Sequence, residues 1–148
     1  MQEAIKYRSV LQRSFYARDT VVAAKMLLGK TIVHQYDDIV YSGMIVETEA
    51  YTADDDPASH AYSGITKRNV SMFGPVGHAY VYFIYGNHFC FNVVARAQDQ
   101  IAGAVLIRAV QPLMGIKNMV VVRKTDQLHN LANGPGKLTQ ALGITCEY

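Results

Sequence analysis

No stretch of this 148-residue chain approaches the roughly 20 consecutive apolar residues that a bilayer-spanning helix needs, so no membrane association is expected. The opening residues, Met1-Gln2-Glu3-Ala4-Ile5-Lys6, hold no signal-peptide apolar core, and an intracellular protein is expected, in the cytoplasm and nucleoid or in a nucleus. Cysteine is scarce. Cys90 and Cys146 have no metal-ligand spacing, and Cys90 lies in an apolar run where a small buried side chain is expected. Internal repeats and low-complexity linkers are absent, and the length fits one domain, residues 1–148, with a core of its own. Charge of one sign is not in excess: 14 Lys and Arg against 12 Asp and Glu give +2, which permits a polyanionic partner without demanding one. Tryptophan is missing altogether, whereas ten tyrosines and five phenylalanines are present and gather in a few segments.

The first segment with chemistry in it is Ile45-Val46-Glu47-Thr48-Glu49-Ala50-Tyr51. It follows Gly43, a bulge or turn position, and reads as a strand from Ile39 to Ala50. Strict alternation assigns Met44, Val46, Thr48 and Ala50 to the core face and Ile45, Glu47, Glu49 and Tyr51 to the other. Upstream, Asp19 or Thr20 caps a helix over Val21 to Leu28 that Gly29 stops, and Thr31 to Tyr36 forms a strand before an Asp37-Asp38 turn. Downstream, Thr52 to His60 is a polar loop in which Asp56-Pro57 suggests one helical turn. The acids Asp54, Asp55 and Asp56 beside His60 raise the question of a metal, but three consecutive acids point in different directions and serve as caps, so no metal is expected. Arg68 to Met72 reads as a short helix ended by Gly74-Pro75.

Two aromatic, β-branched runs flank Gly86-Asn87 between Tyr80 and Val94 and make a hairpin. A two-residue loop would set Tyr82 opposite Phe91. A three-residue loop of Tyr85, Gly86 and Asn87 pairs Tyr82 with Cys90 and Tyr80 with Asn92, gathers Tyr82 and Asn92 on one face, and is preferred. Tyr85 then occupies the tip, where it either folds back on the sheet or meets a partner. Ala104 to Val110 is a strand closed by Pro112, with Arg108 as its one charge; a guanidinium in so apolar a strand calls for Glu47 or Glu49 as partner. Ile116 to Val122 reads as a helix and Leu128 to Asn130 as a loop. Gly134-Pro135-Gly136-Lys137 opens a last helix through Leu142, and its free N–H groups with Lys137 suit a phosphate, although the spacing is not that of a nucleotide-binding P-loop.

Taken together, Ile45 to Tyr51, Asp55 to His60, Arg68-Asn69, Met72 to Pro75, Tyr80-Val81-Tyr82, Tyr85-Gly86, Asn92, Leu106 to Ala109 and Gly134 to Leu138 resemble the alkyladenine (3-methyladenine) DNA glycosylase family, in order from near Leu11 to about Ile144. The resemblance implies a mixed α+β domain: a curved antiparallel β-sheet, an open barrel-like roll, with flanking helices and a protruding DNA-intercalating hairpin. It also implies a base-excision repair enzyme that flips a damaged purine from double-stranded DNA and hydrolyses its N-glycosidic bond. Motif by motif, Glu49 would activate water with help from Arg108. Tyr51, His60 and Tyr82 would enclose the base, Asn92 would reject the amino group of guanine, and Tyr85 would fill the vacated stack. Asn87, His88, Met72, Gly136 and Lys137 would contact DNA. No cofactor is implied, and a monomer is expected.

Members of that family continue past the last helix, so the chain is expected to lack their C-terminal segment and the carbonyl it contributes beside the attacking water. Two rival functions follow: a lesion-binding module without effective hydrolysis, or a glycoside hydrolase of free nucleosides or sugars with Glu47 and Glu49 as acid and base.

Overall fold

The computed structural model describes residues 9–84 and 86–147; Tyr85, and with it the expected hairpin wedge, lies outside the described residues. Five strands form one antiparallel sheet that curls into a half-barrel: β1 (Thr31–Tyr36), β2 (Ile39–Thr52), β3 (Ala79–Ile84), β4 (His88–Val94) and β5 (Gly103–Met114), in spatial order β1-β2-β5-β4-β3. Four helices accompany it: α1 (Arg13–Tyr16), α2 (Thr20–Leu27), α3 (Ile116–Arg123) and α4 (Pro135–Leu142). The helix boundaries follow local chemistry. Asp19 accepts a hydrogen bond from the Val22 N–H at the start of α2, and Pro135 occupies the first turn of α4, where no N–H is needed.

The sheet separates two apolar clusters. On one face Ile45, Val93, Val105, Ile107 and Val110 pack with Ala23, Leu27, Met119, Leu138 and Leu142 from the helices. On the other, Tyr80, Val94, Ala102 and Ala104 pack with Ala61 and Met72 from the long segment between β2 and β3. Among the described residues no helix is long and apolar enough to cross a membrane.

The β3–β4 register is that of the three-residue loop, with Tyr80 opposite Asn92 and Tyr82 opposite Cys90. The alternation expected for β2, by contrast, is broken. Ile45 pairs with Val110, Glu47 with Ala109 and Thr48 with Ile107, so Val46 has no residue across from it and neither does Arg108. Such an irregularity turns the unpaired residues outward and inverts the parity of the strand. Ile45 is therefore buried in the helix-facing core and Val46 is exposed, the reverse of the expected assignment. Beyond the irregularity Thr48 and Ala50 return to the helix side, where the Thr48 hydroxyl donates to the Ala24 carbonyl at 2.9 Å.

A further register shift lies at Gly43, as the sequence suggested; a Cβ there would meet the Val110 side chain at 2.6 Å. Because that shift absorbs Leu113, β5 continues through Pro112 to Met114 rather than ending at the proline. Two helical expectations in the segment after β2 also change. Asp56-Pro57 begins only turns, with the Asp56 carboxylate accepting from the Ala58 N–H at 3.1 Å, and the helix expected over Arg68 to Met72 is a 3-10 helix, Val70–Phe73.

Candidate active site

The parity inversion decides which side chains share the face opposite the helices. Glu49 and Tyr51 of β2 project there, beside Leu106 and Arg108 of β5, Asn92 of β4, and Tyr80 and Tyr82 of β3. Leu106 is the cross-strand neighbour of both Glu49 and Asn92 and is buried between their strands.

Arg108 is not the buried cation that its apolar strand suggested. At its unpaired position the side chain is 44% exposed, and the guanidinium reaches two carboxylates, Nη1 to Glu49 Oε1 at 3.0 Å and Nε to Glu47 Oε2 at 3.4 Å. Ion pairs this exposed stabilise a fold by about 0–1 kcal/mol, so their consequence here is orientation of the groups. The second oxygen of Glu49 accepts the Tyr51 hydroxyl. Burial first, and then this bond to Glu49, push the Tyr51 hydroxyl up to about 12, so Tyr51 remains a proton donor to the carboxylate throughout the neutral range. Glu49 is thus clamped by a cation on one oxygen and a phenol on the other.

Beyond Tyr51 the same face sinks into a cavity lined by Tyr51, Ala58, His60, Met72, Tyr80, Tyr82 and Asn92. Every residue expected to enclose a base is in this wall. Its volume is only ≈ 60 Å³, because the rings of His60 and Tyr82 touch each other. His60 meets Tyr82 edge-to-face at 4.6 Å between ring centroids, and its Nδ1 lies 3.1 Å from the Tyr80 hydroxyl. Burial and the neighbouring Cys90 side chain raise the Tyr82 hydroxyl, which stays protonated.

The comparisons with known proteins cover almost the whole of this framework. A model of the methylpurine-DNA glycosylase family matches residues 14–148. Among similar proteins, one from Methanoculleus marisnigri is 55% identical over 138 residues, spanning 93% of this chain and 70% of that protein. Another from Carboxydothermus hydrogenoformans is 53% identical over 135 residues, 91% of this chain and 70% of that protein. A third, from Bacillus mycoides, is 54% identical over 141 residues, 90% of this chain and 69% of that protein. All three carry the provisional name 3-methyladenine DNA glycosylase. The chain belongs to the methylpurine-DNA glycosylase family.

In this glycosylase framework the other expected contacts fall into two groups. Gly86, Asn87 and His88 of the hairpin line one groove with Gly136 of α4. Gly136 is needed for that approach, since a Cβ would stand 2.9 Å from the His88 side chain, while the Lys137 ammonium donates to Asn133 at 3.0 Å. Met72, expected at the DNA surface, is instead 2% exposed and forms part of the cavity wall, held there by its place in the second apolar cluster.

Asn69 belongs to the Arg68-Asn69 motif, but the sequence assigned it no role. Its buried amide donates to the carbonyls of His60 at 2.7 Å and Gly64 at 2.8 Å and accepts from the Thr66 N–H at 2.6 Å, tying down the loop that carries His60. The Thr66 hydroxyl reciprocates on the Asn69 N–H at 3.3 Å, so Thr-x-x-Asn, read as a capping-box relative, was the available signal. Arg68 was quoted but given no task. Its guanidinium lies 5.4 Å from the centre of the Tyr82 ring and donates to the Phe83 carbonyl at 3.0 Å.

Burial first, and then the positive charge of Arg68, lower the proton affinity of His60 below the ordinary value of 6.5. The folded protein therefore binds this proton less tightly than the unfolded chain, and His60 removes stability as the pH falls below 6.5. Melting curves between about pH 7 and pH 5 should show His60→Gln losing less stability on acidification than the wild type; parallel losses would contradict the assignment.

Proposed function

We propose that this protein is a monofunctional DNA N-glycosylase, a single domain over residues 1–148 acting as a monomer inside the cell on duplex DNA that contains alkylated or deaminated purines. The observation that carries the reading is Glu49, fixed by Arg108 on one oxygen, standing one hydrogen bond from an aromatic cavity through Tyr51.

In the proposed reaction the damaged nucleotide is extruded at a cost of a few kcal/mol, smallest for lesions that pair poorly. Its base parts His60 from Tyr82 and stacks between Tyr82 on one side and Tyr51 and His60 on the other, with Met72 below and Asn92 crowding a guanine amino group. Stacking contributes about 1–3 kcal/mol without reading sequence, and a cationic alkylated purine gains a cation–π contribution. Water adds to C1′ of the deoxyribose as the C1′–N bond breaks. The bonding electron pair leaves with the alkylated or protonated base, and Glu49 takes the proton from water. The charge of Glu49 also stabilises the positive sugar in the transition state. By the family pattern the wedge role falls to Tyr85, with Asn87 and His88 in the minor groove and Gly136 and Lys137 also in contact with DNA.

The sugar-hydrolase alternative fares worse on geometry. A pair of carboxylates in a retaining glycosidase flanks the bond, whereas Glu47 and Glu49 hold one guanidinium and so approach from one side. Incubation of the protein with duplex DNA containing hypoxanthine or 3-methyladenine should yield abasic sites, read as alkali-labile strand breaks. Tight lesion binding with no base release would instead make it a non-catalytic binding module.

A further inference from the structure

Glu47 has no task in the hydrolysis outlined above, yet it is held against the residue that fixes the reacting carboxylate. Its Oε2 lies 3.4 Å from Arg108 Nε while Glu49 Oε1 takes Nη1 at 3.0 Å, so the two acids engage different nitrogens of one guanidinium. The arrangement depends on the strand irregularity. Arg108 has no cross-strand residue opposite it, and the unpaired Val46 directly precedes Glu47.

Stability does not account for Glu47. Its side chain is 58% exposed, and a pair so solvated contributes little to folding. DNA affinity does not account for it either, since a carboxylate on a surface that meets phosphates repels them. An effect on Arg108 remains. An arginine side chain has many rotamers, and a single contact through Nη1 leaves its guanidinium plane free to turn. A second carboxylate at Nε fixes that plane.

We propose that Glu47 is a positioning residue for the glycosylase reaction, orienting Arg108 against Glu49. The inference rests on the hydrolytic role given to Glu49. Four proteins test it in single-turnover excision of hypoxanthine from duplex DNA: Glu47→Gln, Glu47→Asp, Arg108→Gln and the double variant Glu47→Gln/Arg108→Gln.

Glu47→Gln should slow base release by about tenfold, less than loss of a group in direct contact with the reacting atoms, while lesion-DNA affinity stays equal or tightens. Glu47→Asp should recover part of the rate. The double variant should be no slower than Arg108→Gln alone, because Glu47 acts through Arg108. A wild-type rate in Glu47→Gln, lost affinity in place of lost rate, or effects that multiply in the double variant would each overturn the proposal. A further readout does not require turnover: the Arg108 Nε–H resonance should exchange slowly with water in the wild type and quickly in Glu47→Gln. Unchanged exchange refutes the positioning role even if the wild type releases no base, the outcome that would refute the hydrolytic reading itself.

Discussion

Replacement of Glu49 by Gln should lower single-turnover base release by about 10²–10⁴-fold while leaving lesion-DNA affinity intact or improved. The substitution keeps the side chain's size and one oxygen acceptor, so the contact with either Arg108 or the Tyr51 hydroxyl can persist. What disappears is the negative charge, and with it both the acceptor for the water proton and the electrostatic complement to a positive sugar. Because a negative charge also leaves the surface that meets phosphates, binding should not suffer. Parallel measurements of excision rate and equilibrium affinity separate the two effects. An unaltered rate would remove Glu49 from the chemistry, and a large drop in affinity would make it a binding residue.

The second large effect is expected at Asn69. Asn69→Leu preserves volume but strips the partners from the carbonyls of His60 and Gly64 and from the Thr66 N–H. Each buried polar group left unpaired costs about 1–3 kcal/mol, more than this loop recovers from packing one apolar side chain. The loop between β2 and β3 should therefore detach to hydrate its backbone, taking His60 and part of the second apolar cluster with it. Lesion affinity should fall by more than about tenfold, the loss expected for one stacking surface, and the melting temperature by several degrees. Asn69→Asp, which keeps the acceptor for Thr66 and loses the two donors, should lie between. If Asn69→Leu bound lesions like the wild type, the loop would be held by other means.

Regular elements were legible wherever periodicity and punctuation agreed. The hairpin followed from two alternating aromatic runs and the turn residues between them, its register being the preferred one of the two they allow, and both ends of α4 followed from Gly134-Pro135 and Gly143. The candidate site was legible as a set of residue types, since Glu49, Arg108, Tyr51, His60, Tyr82 and Asn92 do come together on one face. Its geometry was not. Whether Val46 and Arg108 lack partners depends on how two strands distant in sequence are aligned, and no local pattern in either reveals it. That single irregularity moved Ile45 into the core and Arg108 into solvent. The closed contact between His60 and Tyr82 was likewise hidden, because it depends on how the segment carrying His60 is held, which the Asn69 hydrogen bonds determine.

Cys90 lies opposite Tyr82 in the hairpin, 4% exposed, with its thiol pushed up by burial. Thiolates, not thiols, react with electrophiles. Methylating agents that damage DNA attack accessible sulfur as well, and a methyl group on Cys90 would crowd the Tyr82 side chain beside it. A sulfur kept shielded and protonated is a poor target for such reagents, and the cavity wall that Tyr82 forms is spared that crowding.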